Sequence, residues 1–145
     1  MKRFRPIEIL LVEDNPDDVA ITQRAFAKSK VASHLMVARD GQEVLDLLFA
    51  GARQAASRPD LVLLDLNLPK VNGLDVLAKL RASEELSMMP VVMLTASARQ
   101  EDVVRSYQLG ANSYIQKPMI FEGFTHTLEV LGQYWFEVAT LPPAP

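Results

Sequence analysis

A four-residue apolar run, Leu61-Val62-Leu63-Leu64, ends on a carboxylate, Asp65, and passes into Asn67-Leu68-Pro69-Lys70-Val71-Asn72-Gly73. A run this short between turn signals suits a strand buried on both faces, with Pro69 and Asn72-Gly73 supplying the turn. Asp65 would then stand at the carboxyl end of a central strand. Open α/β sheets gather their ligands at that edge, because each strand there releases its chain into a loop on the same side. An isolated Asp in such a place is more often a helix cap or turn residue than a chemical group, so the flanking segments decide its meaning.

Ile7–Val12 is a second β-rich run, ending in Glu13-Asp14-Asn15-Pro16-Asp17-Asp18. Asn15 suits an N-cap, Pro16 a first helical position, and Asp17 and Asp18 the positive end of a helix dipole. Val19, Ile21, Thr22, Ala25 and Phe26 then fall within roughly 160° of arc at about 100° per residue. A strand over His34–Ala38 follows. Asp40 or Gly41 opens a helix carrying Val44, Leu45, Leu47, Leu48 and Phe49, and residues 51–58 connect to the Leu61 run. Beyond Gly73 the pattern predicts a helix from Leu74 to about Ser83 and a strand over Val91–Leu94 that ends on Thr95-Ala96-Ser97. A helix from about Arg99 to Leu109 comes next, with a narrow stripe of Val103, Val104 and Tyr107. A short strand over Asn112–Gln116 leads to Lys117-Pro118, and a last helix spans about Phe121–Val138 before a Pro-rich tail that cannot continue it. Five strands alternating with five helices call for an α/β fold with a parallel sheet covered on both faces. The expectation is one domain over residues 1–145, with a core from about 7 to 138.

Composition removes several function classes. The chain has no cysteine, hence neither disulfides nor a thiolate metal site. Its net charge is −3, with no basic block beyond Lys2, Arg3 and Arg5, which argues against nucleic-acid binding through phosphate neutralisation. Glu8, Glu13 and Asp14 break the first apolar run too soon for a secretory signal, and no stretch approaches the roughly 20 apolar residues of a membrane span. A soluble cytoplasmic protein that binds neither membrane nor nucleic acid is expected.

The strand ends carry Glu13 and Asp14, Asp65, Thr95 and Lys117, and the predicted topology brings all of them to one edge. Each has a plain reading alone: a capping cluster, a helix start, a solvated loop charge. Together they define chemistry. Carboxylates within about 5 Å repel by roughly 3 kcal/mol per pair at an effective dielectric of about 20. A hard divalent cation relieves that repulsion, and Mg²⁺ takes one or two carboxylates, waters and a phosphate. An ionised Asp beside it can attack phosphorus, while the Lys117 ammonium and Thr95 hydroxyl hold the phosphoryl oxygens.

The segments ILLVEDNPDD, LVLLDLNLPKVNG, VVMLTAS and GANSYIQKP, at these spacings, resemble the receiver domain of CheY-like response regulators from Glu8 to about Val138. The resemblance implies a flavodoxin-like (βα)5 fold with strand order 2-1-3-4-5. It also implies Asp65 as phosphoacceptor. Asp14, Asp65 and the backbone carbonyl of Asn67 would be Mg²⁺ ligands, with Glu13 acting through water. Lys117 is implied as phosphoryl contact, Thr95 as switch hydroxyl, Tyr114 as switch aromatic, and Asn67 and Ser97 as positions that tune phosphoryl lifetime. LVEDNPDDVAITQRAF, LDLNLPK and the terminal YWF resemble single-domain regulators partnered with bacterial phytochrome histidine kinases. A sensor kinase of that kind is the implied donor, and a phosphotransfer or other downstream protein the implied recipient of the signal.

With only 28 residues after Lys117, no output domain is expected. In the last helix, Phe124, Leu128, Leu131, Trp135 and Val138 form a core stripe, Val130 and Tyr134 widen it, and Phe136 falls on the far, polar side. Either Leu141-Pro142-Pro143 folds back over Phe136, or Val130, Tyr134 and Phe136 build a homodimer interface. A phosphatase of the haloacid-dehalogenase kind would have a second Asp where Asn67 stands, and a cap domain. A receiver-like module that is never phosphorylated would be favoured if any of Asp14, Asp65, Thr95 or Lys117 were missing, and none is. His34 and His126 have no companion ligands and read as surface or packing residues.

Overall fold

The computed structural model describes residues 6–51 and 58–143; most of the expected 51–58 connection, the basic start and the last two residues lie outside them. Five parallel strands, β1 (Ile7–Val12), β2 (Ser33–Ala38), β3 (Leu61–Leu64), β4 (Val91–Thr95) and β5 (Ser113–Gln116), run in the order β2-β1-β3-β4-β5. Helices α1 (Pro16–Ala27), α2 (Gly41–Gly51), α3 (Gly73–Ala82), α4 (Gln100–Gln108) and α5 (Phe121–Gly132) connect and follow them. This is the doubly wound α/β arrangement expected from the strand and helix pattern.

The two-residue period of a strand divides the continuous apolar runs between two cores. Leu10, Val12, Val62, Leu64, Val91 and Met93 pack with Val44 and Leu48 of α2 and Val76, Leu77 and Leu80 of α3. Ile9, Leu11, Leu61, Leu63, Val92 and Leu94 pack with Val19 and Phe26 of α1 and Phe124, Leu128 and Leu131 of α5. Every residue of β3 and β4 is buried. The register sets Val12 beside both Ala38 and Leu64, Leu64 beside Met93, and Thr95 beside Gln116. The residues that follow these partners therefore emerge together at one edge.

Two glycines fix the turn after β3. A Cβ on Gly73 would lie 2.1 Å from the Asp65 carbonyl oxygen, and one on Gly41 would lie 1.8 Å from that of Val71. Only the missing side chains let α2 and α3 close on this loop. A second fixed point is Arg81 at the end of α3. Its guanidinium donates to the carbonyls of Gly110, Ser87 and Met89 and to Asn112 Oδ1, which also accepts the Val91 N–H. That one side chain ties the start of β4 to the start of β5.

Of the apolar residues carried by α2, Leu47 and Phe49 point outward, and in α4 only Ser106 is buried, so the Val103-Val104-Tyr107 stripe does not line the core. One expectation is corrected, in the last helix. After Gly132 the bonding changes from an α to a π turn over Gln133–Val138, closed by the Ala139 N–H donating to the Tyr134 carbonyl at 2.7 Å. The extra residue in the turn rotates everything beyond it. Phe136 swings into the core and meets Phe26 edge-on, with ring centroids 5.2 Å apart, while Val138, expected inside, is exposed. Phe136 is thus withdrawn from the expected interface; Val130 and Tyr134 remain exposed. Leu141 packs on the same core as Phe136, and Pro142 and Pro143 lie beside Pro59 and Pro90. Among the described residues, no helix is long and apolar enough to cross a membrane.

Candidate functional site

Asn15 caps α1 as expected, accepting from the N–H groups of Asp17 and Asp18 at 2.9 and 3.2 Å. The cap turns the chain sharply after β1, and the Asn15 N–H in turn donates to Glu13 Oε2 at 3.1 Å. Glu13 is thereby held inward and buried, whereas Asp14 is exposed. At the end of β3 the Asp65 carboxylate is buried and its Oδ1 accepts the Asn67 N–H at 3.2 Å. That bond places the Asn67 backbone beside the carboxylate, with the Asn67 side chain exposed.

Lys117 joins these groups. Its backbone N–H donates to the Thr95 carbonyl at 2.7 Å, extending the β4–β5 pairing by one residue. Its ammonium donates to Glu13 Oε1, to Asp18 Oδ2 at 3.0 Å and to Asp65 Oδ2 at 3.3 Å. Burial alone would lower the Lys117 pKa, but the carboxylates of Glu13, Asp65 and Asp18 outweigh it and push it up, so the side chain is a cation here. Burial pushes the Glu13 carboxyl above the usual carboxylate range, and its bond to Lys117 only partly opposes this.

Glu13, Asp14 and Asp65 each offer a carboxylate oxygen within 4.8 Å of the others. With Asp18, four carboxylates gather around Lys117, and among the described residues no other cation is paired with them, which leaves the site short of positive charge. An all-oxygen donor set of this kind fits a hard divalent cation rather than zinc or copper.

Thr95 is wholly buried behind this edge. Tyr114 is partly buried against the α2–α3 core and donates its hydroxyl to the Ser97 carbonyl at 2.9 Å. Ser97 Oγ donates to Asp102 Oδ2 at 2.6 Å. His34 pairs with Glu8 at the strand surface, and His126 is exposed. The sequence reading missed Asp18 as part of the site. It lies four residues after Asp14, a spacing that signals one face, but its place in the first turn of α1 is explained equally well by the helix dipole.

A doubly wound sheet with a buried Asp, an acidic cluster and a Lys at its carboxyl edge defines a receiver. The profile of the response regulator receiver domain family matches residues 9–129, and the chain belongs to that family of two-component signalling proteins. Among its relatives is the response regulator Rcp1 of Synechocystis sp. (strain ATCC 27184 / PCC 6803 / Kazusa), 37% identical over 140 residues, covering 96% of this chain and 95% of Rcp1. The crystal structure of the phosphorylated cyanobacterial phytochrome response regulator RcpA matches with a TM-score of 0.91 at 39% identity, covering 96% and 100% of the two chains. The Mn²⁺-bound form of Rcp1 matches with 0.89 at 37% identity, covering 95% and 100%. The bacteriophytochrome response regulator AtBRR is 44% identical with a TM-score of 0.69, covering 96% and 99%.

Proposed function

We propose that this chain is a phosphorylation switch in which Asp65 accepts a phosphoryl group, in the presence of Mg²⁺, from a sensor histidine kinase of the bacteriophytochrome kind. The observation that carries this reading is the buried Asp65 carboxylate, which shares the Lys117 ammonium with Glu13 and Asp18 in a site short of positive charge. An Asp65 oxygen attacks phosphorus, the bond from phosphorus to the donor imidazole nitrogen breaks, and that nitrogen keeps the electron pair. An acyl phosphate on Asp65 results. Asp14, Asp65 and the Asn67 carbonyl would hold Mg²⁺, with Glu13 acting through water. Bound there, the ion supplies neutralising charge for the carboxylates and the phosphoryl oxygens. Lys117 follows the new phosphoryl group, Thr95 turns its hydroxyl toward it, and Tyr114 rotates further inward into the space that Thr95 releases. The surface of α4, β5 and α5 then carries the state to a downstream or phosphotransfer protein, with Asn67 and Ser97 tuning its lifetime. Near-complete mutual coverage with Rcp1 supports a regulator built of one receiver domain; a cytoplasmic setting without a nucleic-acid or membrane partner belongs to the same proposal.

The test is uptake of a phosphoryl group from acetyl phosphate, followed by intact mass. Excess Mg²⁺ is expected to give a singly phosphorylated protein and chelation by EDTA to give none. Equal uptake under both conditions would remove the metal from the reading.

The exposed Val130 and Tyr134 support a homodimer built on α5. Tyr134→Glu is expected to shift a micromolar sample to monomer in sedimentation. A wild-type protein that already sediments as monomer, with and without acetyl phosphate, would refute the dimer.

A further inference from the structure

Helix α4 is held to the sheet differently from its neighbours. Helices α1, α3 and α5 each bury four residues, whereas α4 buries only Ser106 and leaves Val104 and Tyr107 about half exposed. Its attachment is polar. At its first turn Asp102 Oδ2 accepts the Ser97 hydroxyl at 2.6 Å, whereas the buried Ser106 hydroxyl bonds within the helix, to the Asp102 carbonyl at 2.7 Å. At its last turn the Tyr107 hydroxyl accepts the backbone N–H of Tyr114 at 3.1 Å. Strand β5 is an edge strand, where an N–H turned outward lacks a strand partner, and Tyr107 fills that place. Tyr114 itself donates its hydroxyl to the Ser97 carbonyl. The bonds therefore close a ring from α4 through Asp102, Ser97, Tyr114 and Tyr107 back to α4.

We propose that Tyr107 is a positioning residue that latches α4 to the switch aromatic, so that α4 moves when Tyr114 and the Ser97 loop move. This rests on the reading of Thr95 and Tyr114 as switch residues. A helix with a buried apolar face resists displacement, while one fixed by a few hydrogen bonds exchanges partners when a local charge changes. The ring starts two residues beyond Thr95, so a rearrangement there reaches both ends of α4 without passing through the core.

The test compares the ¹⁵N-labelled full chain with Tyr107→Phe, which keeps the ring and removes only the hydroxyl. Without phosphodonor, the Tyr114 amide is expected to exchange about three- to tenfold faster in the variant, the factor for one ordinary hydrogen bond, with core amides unchanged. With acetyl phosphate and Mg²⁺, intact mass should show phosphoryl uptake by both proteins. Amide shifts over residues 102–108 should change in the wild type and stay largely fixed in the variant. Asp102→Asn, which weakens the other side of the ring, should give the same loss over α4. Unaltered Tyr114 exchange in Tyr107→Phe, or a full α4 response in that variant, would overturn the latch. A wild type that takes up no phosphoryl group would instead refute the Asp65 reading, and the exchange comparison would then decide the latch alone.

Discussion

Lys117→Ala is expected to lose about 3–5 kcal/mol of stability in Mg²⁺-free buffer, the cost of removing one partner from a buried ion pair. Among the described residues, Lys117 is the one ammonium bonded to Glu13, Asp18 and Asp65, and it is itself only 8% exposed. Without it the three carboxylates face one another, and Glu13 and Asp65 are buried. The group can recover by protonation or by taking a cation. Added Mg²⁺ should therefore stabilise the variant more steeply than the wild type. Urea unfolding of both proteins, with EDTA and with Mg²⁺, measures the loss and its recovery. A variant within about 1 kcal/mol of wild type in EDTA would contradict the account of Lys117 as the charge that holds the site together. The same variant is expected to gain the phosphoryl group yet leave the α4 and β5 surface unchanged, because the cation that follows the new charge is missing.

The parts of the site most legible from sequence are those that sit directly on strand ends. Leu61–Leu64 is the observed β3 to the residue, and Asn15 and Pro16 start α1 as their chemistry dictates. Local rules govern both: apolar run length in one case, cap and dipole in the other. Glu13, Asp14, Asp65 and Lys117 converge because parallel topology sends every strand end to one edge, so correct strands were enough to find them. Long-range polar bonds were not legible. Arg81 reads as an ordinary last-turn base, and nothing local says that it bonds Gly110 and Asn112 across two loops. Tyr107 reads as an apolar stripe residue, and its hydroxyl's partner lies on a different element. The π turn defeated the helical wheel for a different reason. A one-residue slip changes phase without changing composition, and it depends on Phe26 offering a ring and Gly132 leaving room for Phe136.

The second large effect concerns the acceptor itself. Asp65→Asn keeps the size and the position at the end of β3 but removes the anionic oxygen that would attack phosphorus in the proposed reaction, and it removes one of three carboxylates from the acidic cluster. Glu13, Asp14, Thr95 and Lys117 are left in place, so loss of uptake in this variant reports on Asp65 itself, as attacking group and as metal-site carboxylate together. The deciding measurement is intact mass of wild type and Asp65→Asn after incubation with acetyl phosphate and Mg²⁺. One phosphoryl group on the wild type and none on the variant is the predicted result. An adduct that survives the substitution, or none on the wild type, would contradict Asp65 as the phosphoacceptor.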